Sequence, residues 1–428
     1  HQDLHSFPTR RSSDLPLLKG AIRKNLLTER IDIVKSLGWY RDSPTLTDVD
    51  VKYLLLYFEE NYGLTVEKKI IDAVAVIANE NRYHPVCDFL NALQWDGTER
   101  IRFCLHRFLG SDTDDYTYEA LKLFLLGAIS RAFKPGCKFE VMLCLVGGQG
   151  AGKSSFFRLL AVNDDWFSDD LKKLDDENVY RKMQGHWIIE MSEMIATANA
   201  KSIEEIKSFL SRQKETYKIP YETHPADRKR QCVFGGSSNT LDFLPLDRTG
   251  NRRFVPVMVY PERAEVHILA DEQASREYIN QMWAEAMEIY RSGNFRLRFS
   301  PAMNDYLKAH QKDFMPEDTK AGQILDYLER YSGSIVCSKQ LYKEALGHDY
   351  DEPKQWELRE INDIMNNAVT GWRAFSNPRY FPEPYRRQKG WERIRNDNEP
   401  DNSMDGFQEI PTEEMEQLGL PEEWLKQK

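Results

Sequence analysis

Long apolar runs are missing from this chain of 428 residues. No stretch approaches the ~20 residues that a bilayer-spanning helix needs, so a helical membrane protein is excluded. The longest, around 141–146, reads as a buried strand. Paired cysteines are missing as well. The six cysteines, at 87, 104, 137, 144, 232 and 337, form no C-x-x-C pair and have no histidine cluster at zinc spacing. That excludes a zinc ribbon and leaves reduced core thiols in a cytoplasmic protein as the expectation. An excess of positive charge is also lacking, since the net charge is −10. Its distribution matters more than its sum. From residue 396 to the end, ten acidic residues stand against two lysines, so this tail carries −8 and the rest of the chain −2. The body is near neutral and free to carry basic patches.

Five segments follow from composition and periodicity. Residues 1–15, with Leu4-His5-Ser6-Phe7-Pro8-Thr9-Arg10-Arg11-Ser12-Ser13-Asp14-Leu15, resemble a translated sequencing adapter joined to an incomplete gene. They have no apolar h-region and are set aside from the fold. Residues 16–135 are expected to form a helical domain, since Val51, Leu54, Leu55 and Phe58, and again Ile70, Ala73, Val74 and Ile77, recur at helical spacing. A further helix is expected over 118–133, ending before Pro135-Gly136. From 136 to 300 short valine- and isoleucine-rich runs (141–146, 187–189, 232–234, 254–259) alternate with helical stretches, which predicts an α/β domain with a mainly parallel sheet. Residues 321–395 suggest three helices and a β-ribbon, a winged helix-turn-helix. Residues 396–428 form the acidic tail, expected to be poorly ordered.

Gly147-Gly148-Gln149-Gly150-Ala151-Gly152-Lys153-Ser154 matches G-x-x-x-x-G-K-[ST]. Glycines let backbone N–H groups turn inward around phosphates, the lysine supplies a point charge to the β and γ phosphates, and the serine hydroxyl meets Mg²⁺. A strand precedes the motif, and Ser155 with Phe156 opens a helix whose N-terminus favours anions. The expected ligands are ATP and Mg²⁺, with residues 147–155 as the nucleotide cradle. Such a loop needs a carboxylate at a neighbouring strand end. Glu190 ends one apolar run and Glu193 follows; one would hold the metal with Ser154 and the other polarise the attacking water. Asn239, after the run from Cys232, would stand beside the γ-phosphate and place that water. Arg252 and Arg253 precede the last run; a guanidinium neutralises the charge of phosphoryl transfer and is often donated by a neighbouring subunit. His84 and His224 sit in X-Pro turns without a dyad partner and are expected to be structural.

Between 207 and 230, Lys207, Arg212, Lys214, Lys218, Arg228, Lys229 and Arg230 face only Glu215, Glu222 and Asp227, with Tyr217 and Tyr221 interleaved. Lysine and arginine can follow phosphates while tyrosines stack on bases, so Lys207, Lys214, Lys218, Arg228, Lys229 and Arg230 are candidate contacts to single-stranded DNA. A second cluster, Arg373, Arg379, Arg386, Arg387, Lys389, Arg393 and Arg395, could touch duplex DNA as a wing, or dock on the acidic tail or another subunit.

With these elements placed, the chain resembles the virulence-associated protein E family, phage and mobile-element proteins with a superfamily 3 helicase-like, AAA+ type P-loop core. The resemblance is carried by His84-Pro85-Val86, Trp95-Asp96-Gly97, Pro135-Gly136-Cys137-Lys138, the glycine-rich motif, Trp166-Phe167-Ser168, Glu190 with Glu193, residues 207–211, Pro220-Tyr221, Asn239 and residues 249–254. It implies a ring, hexameric in type, that hydrolyses ATP at subunit interfaces and threads DNA past a pore hairpin at 207–230. In many superfamily 3 proteins the carboxylates are adjacent; here Met191 and Ser192 separate them. The expected function is an ATP-dependent DNA helicase or translocase. The alternative is an ATP-regulated, DNA-binding initiator or interference protein without unwinding activity.

Overall fold

A computed structural model describes residues 18, 20–171, 174, 179–191, 200–217, 226–244 and 251–394. The acidic tail, the first fifteen residues, Glu193, Lys218 and His224 lie outside them. The chain divides into two compact units between Glu317 and Asp318.

The first unit opens with an antiparallel pair, β1 (Ile22–Lys24) and β2 (Ile31–Ile33). Helices α1 (Asp48–Tyr62) and α2 (Glu67–Glu80) close over it around Ile22, Leu54 and Val74. α1 starts at a capping box, in which Thr47 accepts from the Asp50 amide and Asp50 reaches back to the Thr47 amide. The region was expected to be helical throughout; strands of three residues are too short for an alternating pattern to register.

Helices α3 (Pro85–Ala92), α4 (Ile101–Leu109) and α5 (Asp115–Phe133) follow. His84 caps α3, its Nδ1 accepting from the Cys87 amide at 3.3 Å, and burial lowers its pKa. α5 is buried along nearly its whole length and shares one core with the sheet that follows, through Leu121, Phe124, Leu125, Leu143, Leu145 and Phe157. The boundary expected at 135 therefore falls inside a continuous core.

The sheet is built from β3 (Met142–Val146), β4 (Phe167–Ser168), β5 (Ile188–Glu190), β8 (Val233–Ser238) and β9 (Phe254–Met258), with the hairpin β6 (Lys214–Tyr217) and β7 (Ala226–Lys229) inserted before β8. Its order is β4-β5-β8-β3-β9, parallel throughout. β3 is buried at all five positions, as a strand with neighbours on both edges and helices on its faces must be. Helices α6 (Lys153–Leu160), α7 (Val179–Met183) and α8 (Ala200–Leu210) connect the strands. α9 (Glu272–Ser292) and α10 (Pro301–His310) follow the sheet. Trp283 of α9 lies 4.5 Å from Trp187, centroid to centroid, and donates to the Leu160 carbonyl at 3.0 Å. Gly235 lets α6 close on β8: a Cβ there would stand 2.4 Å from the Phe157 ring.

The second unit comprises α11 (Thr319–Arg330), helical turns over 338–345, α12 (Gln355–Asn367) and an antiparallel sheet of β10 (Ile335–Cys337), β11 (Trp372–Ala374) and β14 (Gly390–Arg393) in the order β10-β14-β11. β12 (Arg379–Phe381) and β13 (Arg386–Gln388) form a separate ribbon. Ile324, Leu328, Ile361, Ile364 and Trp391 make its core. No helix among the described residues is long and apolar enough to cross a membrane.

Candidate active site

In a parallel sheet every strand points the same way, so the loops after the strands gather at one end. The glycine-rich segment 147–152 leaves β3 at that end and enters α6. Gly150 and Gly152 adopt φ of +81° and +79°, which a side-chain-bearing residue resists. Gly148 and Gly150 have open space where a Cβ would stand. The turn brings Lys153 back over its own loop. Its ammonium donates to the carbonyls of Gly147 and Gly148, each at 2.7 Å, and to Asn239 Oδ1 at 2.9 Å. Burial lowers the Lys153 pKa, while the Glu190 charge works the other way.

Ser154 Oγ donates to Glu190 Oε1 at 2.8 Å, and Ser237 Oγ donates to the same oxygen at 2.5 Å. Glu190 is 1% exposed, and its second oxygen, Oε2, is buried without a hydrogen-bond partner. Burial raises the Glu190 pKa; the two serine hydroxyls and Lys153 offset part of that effect. A hard divalent cation fits this donor set, because Mg²⁺ takes one or two protein oxygens and completes its shell with phosphates and water. No larger group of His, Cys, Asp and Glu capable of enclosing a metal occurs among the described residues. Beside the loop opens a cleft of about 450 Å³ lined by Gly147, Gly148, Asn239, Leu241, Tyr260 and Pro261, among others.

Lys153, Ser154, Glu190 and Asn239 thus meet, brought by the ends of β3, β5 and β8. Gln149, Ala151 and Ser155 belong to the same loop and first helical turn. Ser237 was not anticipated; the small polar run that holds it was visible, but not which residue it would face. Arg252 and Arg253 are elsewhere. They precede β9, at the N-terminal end of the sheet, about 16 Å of strand from the glycine loop at ~3.3 Å per residue. Arg253 Nε donates to Ser211 Oγ at 3.0 Å, and both arginines pair with Glu140, Arg252 at 3.6 Å and Arg253 at 3.3 Å.

The basic 207–230 segment divides. Lys214 and Lys229 are exposed and directly opposite each other in the β6–β7 register. Like charges in that position repel, which suits an anion lying across them. Lys207 and Arg230 are not surface contacts as expected. Lys207 is 5% exposed and pairs with Glu204 at 2.9 Å. Arg230 is 3% exposed, pairs with Glu215, donates to the Phe209 carbonyl at 2.6 Å and lies 4.5 Å over the Phe209 ring. Arg228 is largely buried beside Glu29, at 3.5 Å. These three hold the base of the hairpin.

Comparison with known proteins agrees with this architecture. The family model for the virulence-associated protein E-like domain matches residues 90–316, just over half of the chain. An A form apo structure of the NrS-1 C-terminal region is similar to this chain at 14% identity with a TM-score of 0.51, covering 90% of this chain and 98% of that one. A second apo structure of that region, residues 305–718, aligns at 13% identity with a TM-score of 0.46 over 90% and 98% of the two chains. At such identities the first likeness speaks for a shared fold. Among curated proteins none matches the chain.

Proposed function

This chain belongs to the virulence-associated protein E-like family, and from that premise we propose that it is an ATP-driven DNA helicase or translocase of phage or mobile-element replication, with a P-loop NTPase core. One observation carries the reading. Lys153, Ser154, Glu190 and Asn239, from three separate stretches of sequence at 153–154, 190 and 239 that only the fold brings together, converge within hydrogen-bonding distance at the C-terminal end of a parallel sheet.

ATP with Mg²⁺ supplies the scissile phosphoanhydride and an electrophilic γ-phosphorus. Lys153 exchanges the carbonyls of Gly147 and Gly148 for β- and γ-phosphate oxygens. The backbone amides of 147–153 and the N-terminus of α6 face the same anion. Ser154 and Glu190 would hold the metal, Glu190 through the oxygen that has no partner. Asn239, released from Lys153, orients the attacking water. Glu193, outside the described residues, is the remaining candidate for polarising it. Arg252 and Arg253, too far from their own loop, act on the site of a neighbouring copy. Lys214 and Lys229 hold the phosphates of a single strand, and coupling runs from the hairpin into β8, which carries Asn239.

Lys153→Ala is expected to lower ATP turnover by about 10²–10³-fold, the cost of removing one preorganised donor from a developing anion. Wild-type turnover should rise with single-stranded DNA. Turnover indifferent to single-stranded DNA across a range of salt would sink the motor reading. A second reading, an initiator whose ATP site only controls assembly, is favoured by the ribbon of the second unit. There Arg386 and Tyr380 are 75% (side chain) and 68% exposed, as suits contact with a duplex. Strand displacement from a forked substrate separates the two.

A further inference from the structure

The N-terminal end of the sheet holds a second concave surface. A cleft of about 870 Å³ opens there, and its lining includes Lys138, Arg252, Arg253, Arg296, Arg298 and Lys308 against Glu140 and Asp305. Glu140 is already shared by Arg252 and Arg253. Arg296, Arg298 and Lys308 are exposed and have neither a hydrogen bond nor an ion pair among the described residues. Six cations around one cleft repel each other, and two carboxylates do not balance them.

The cations are also held in place. Phe299 is buried in the main core and Leu297 packs against it, so Arg296 and Arg298 alternate outward on the same short segment. Ser300 then caps α10, accepting from the Met303 amide. Gln311 is 2% exposed and donates to the carbonyls of Asn251 and Phe254 at 2.8 and 2.6 Å, which fixes the turn that carries Arg252 and Arg253.

The opposite end of the sheet has the complementary shortage. The cleft beside the glycine loop is lined by no arginine or lysine among the described residues. Lys153 is its nearest cation. One molecule cannot join the two ends, because the sheet separates them. A head-to-tail contact does join them, and a heterologous contact of that kind generates rings when its rotation closes.

We propose that this cleft as a whole receives the triphosphate held on a second copy's glycine loop, with Arg296, Arg298 and Lys308 as phosphate-contacting residues beyond the Arg252–Arg253 pair. The inference rests on the nucleotide reading of the loop. Guanidinium groups delivered there neutralise charge that grows in the transition state, so their loss is felt in turnover more than in ATP affinity.

The test uses the full chain. In the double variant Arg296→Ala/Arg298→Ala, kcat should fall at least about tenfold while KM for ATP moves less than about threefold. The melting temperature should stay unchanged, since both side chains are exposed. Mixing this variant with Lys153→Ala should restore up to about a quarter of wild-type turnover, the share of head-to-tail pairings that join an intact loop to an intact cleft. Mixtures that stay inactive, with both variants folded, overturn the proposal. So does an unchanged kcat accompanied by weaker, less salt-dependent binding of single-stranded DNA, which would assign the cleft to nucleic acid instead. If the wild type turns over no ATP at any protein concentration, the nucleotide reading itself fails, and this inference with it.

Discussion

Glu190 concentrates the electrostatic tension of the candidate site. Its carboxyl is buried and its pKa is raised. The folded chain therefore binds this proton more readily than the unfolded chain, and stability is lost as pH climbs above the ordinary glutamate value of 4.5. Glu190→Gln keeps an acceptor for Ser154 and Ser237 but cannot ionise. Its melting temperature, measured without metal or nucleotide, should exceed that of the wild type by a margin that widens from pH 5 to pH 7.5, while ATP turnover is lost. A constant margin would mean that Glu190 titrates as it does in water. Individual residues were unevenly legible. The glycine-rich motif announces Lys153 and Ser154 because backbone and side-chain demands coincide in one run. Lys207 misled, because a count of charges does not say which way a side chain faces. The signal was present: Lys207 falls on the stripe of Ile203, Ile206 and Leu210, all buried in α8.

Elements were legible in proportion to their length. β3, β5, β8 and β9 appear in the sequence as apolar runs bounded by polar turns, and their order in the chain implied a parallel sheet. β4 has two residues and β1 and β2 have three, so no periodicity could reveal them. In the second unit the helix expected at 339–346 is a succession of short helical turns. The β6–β7 hairpin was visible only as a basic interval; its register decides which charges are available. Lys214→Ala/Lys229→Ala should flatten the slope of log affinity for single-stranded DNA against log salt by about 1.4, or ~0.7 for each phosphate no longer neutralised. Lys207→Ala should instead lower the melting temperature and leave that slope unaltered. Filter binding between 50 and 200 mM salt distinguishes these outcomes; an equal effect of both changes on the slope would return Lys207 to the surface.

At the scale of the whole molecule the expected division at 135 gives way to one core running from Val86 to Leu307, with Leu27 as its one member from the N-terminal hairpin region. The matched family region, 90–316, has nearly the same limits. Sequence periodicity could not foresee this, since a helix packed on a sheet and a helix packed on other helices display the same stripe. A fragment beginning at residue 136 is expected to aggregate. Removing α5 strips partners from Leu143, Leu145 and Phe157, and each large apolar side chain laid bare costs about 1.5–3 kcal/mol. A fragment beginning at residue 85 should remain monodisperse by size-exclusion chromatography, as it gives up only Leu27 from that core. If the shorter fragment behaved as well as the longer one, α5 would be an ornament on the sheet.

The two ends of the sheet have a kinetic corollary. With the loop at one pole and the arginines at the other, every productive encounter needs two molecules in file, so specific activity should climb with concentration before it levels off. A cell holding few copies would then keep the protein silent with no inhibitor, and replication of the genetic element would begin only once expression crosses a threshold.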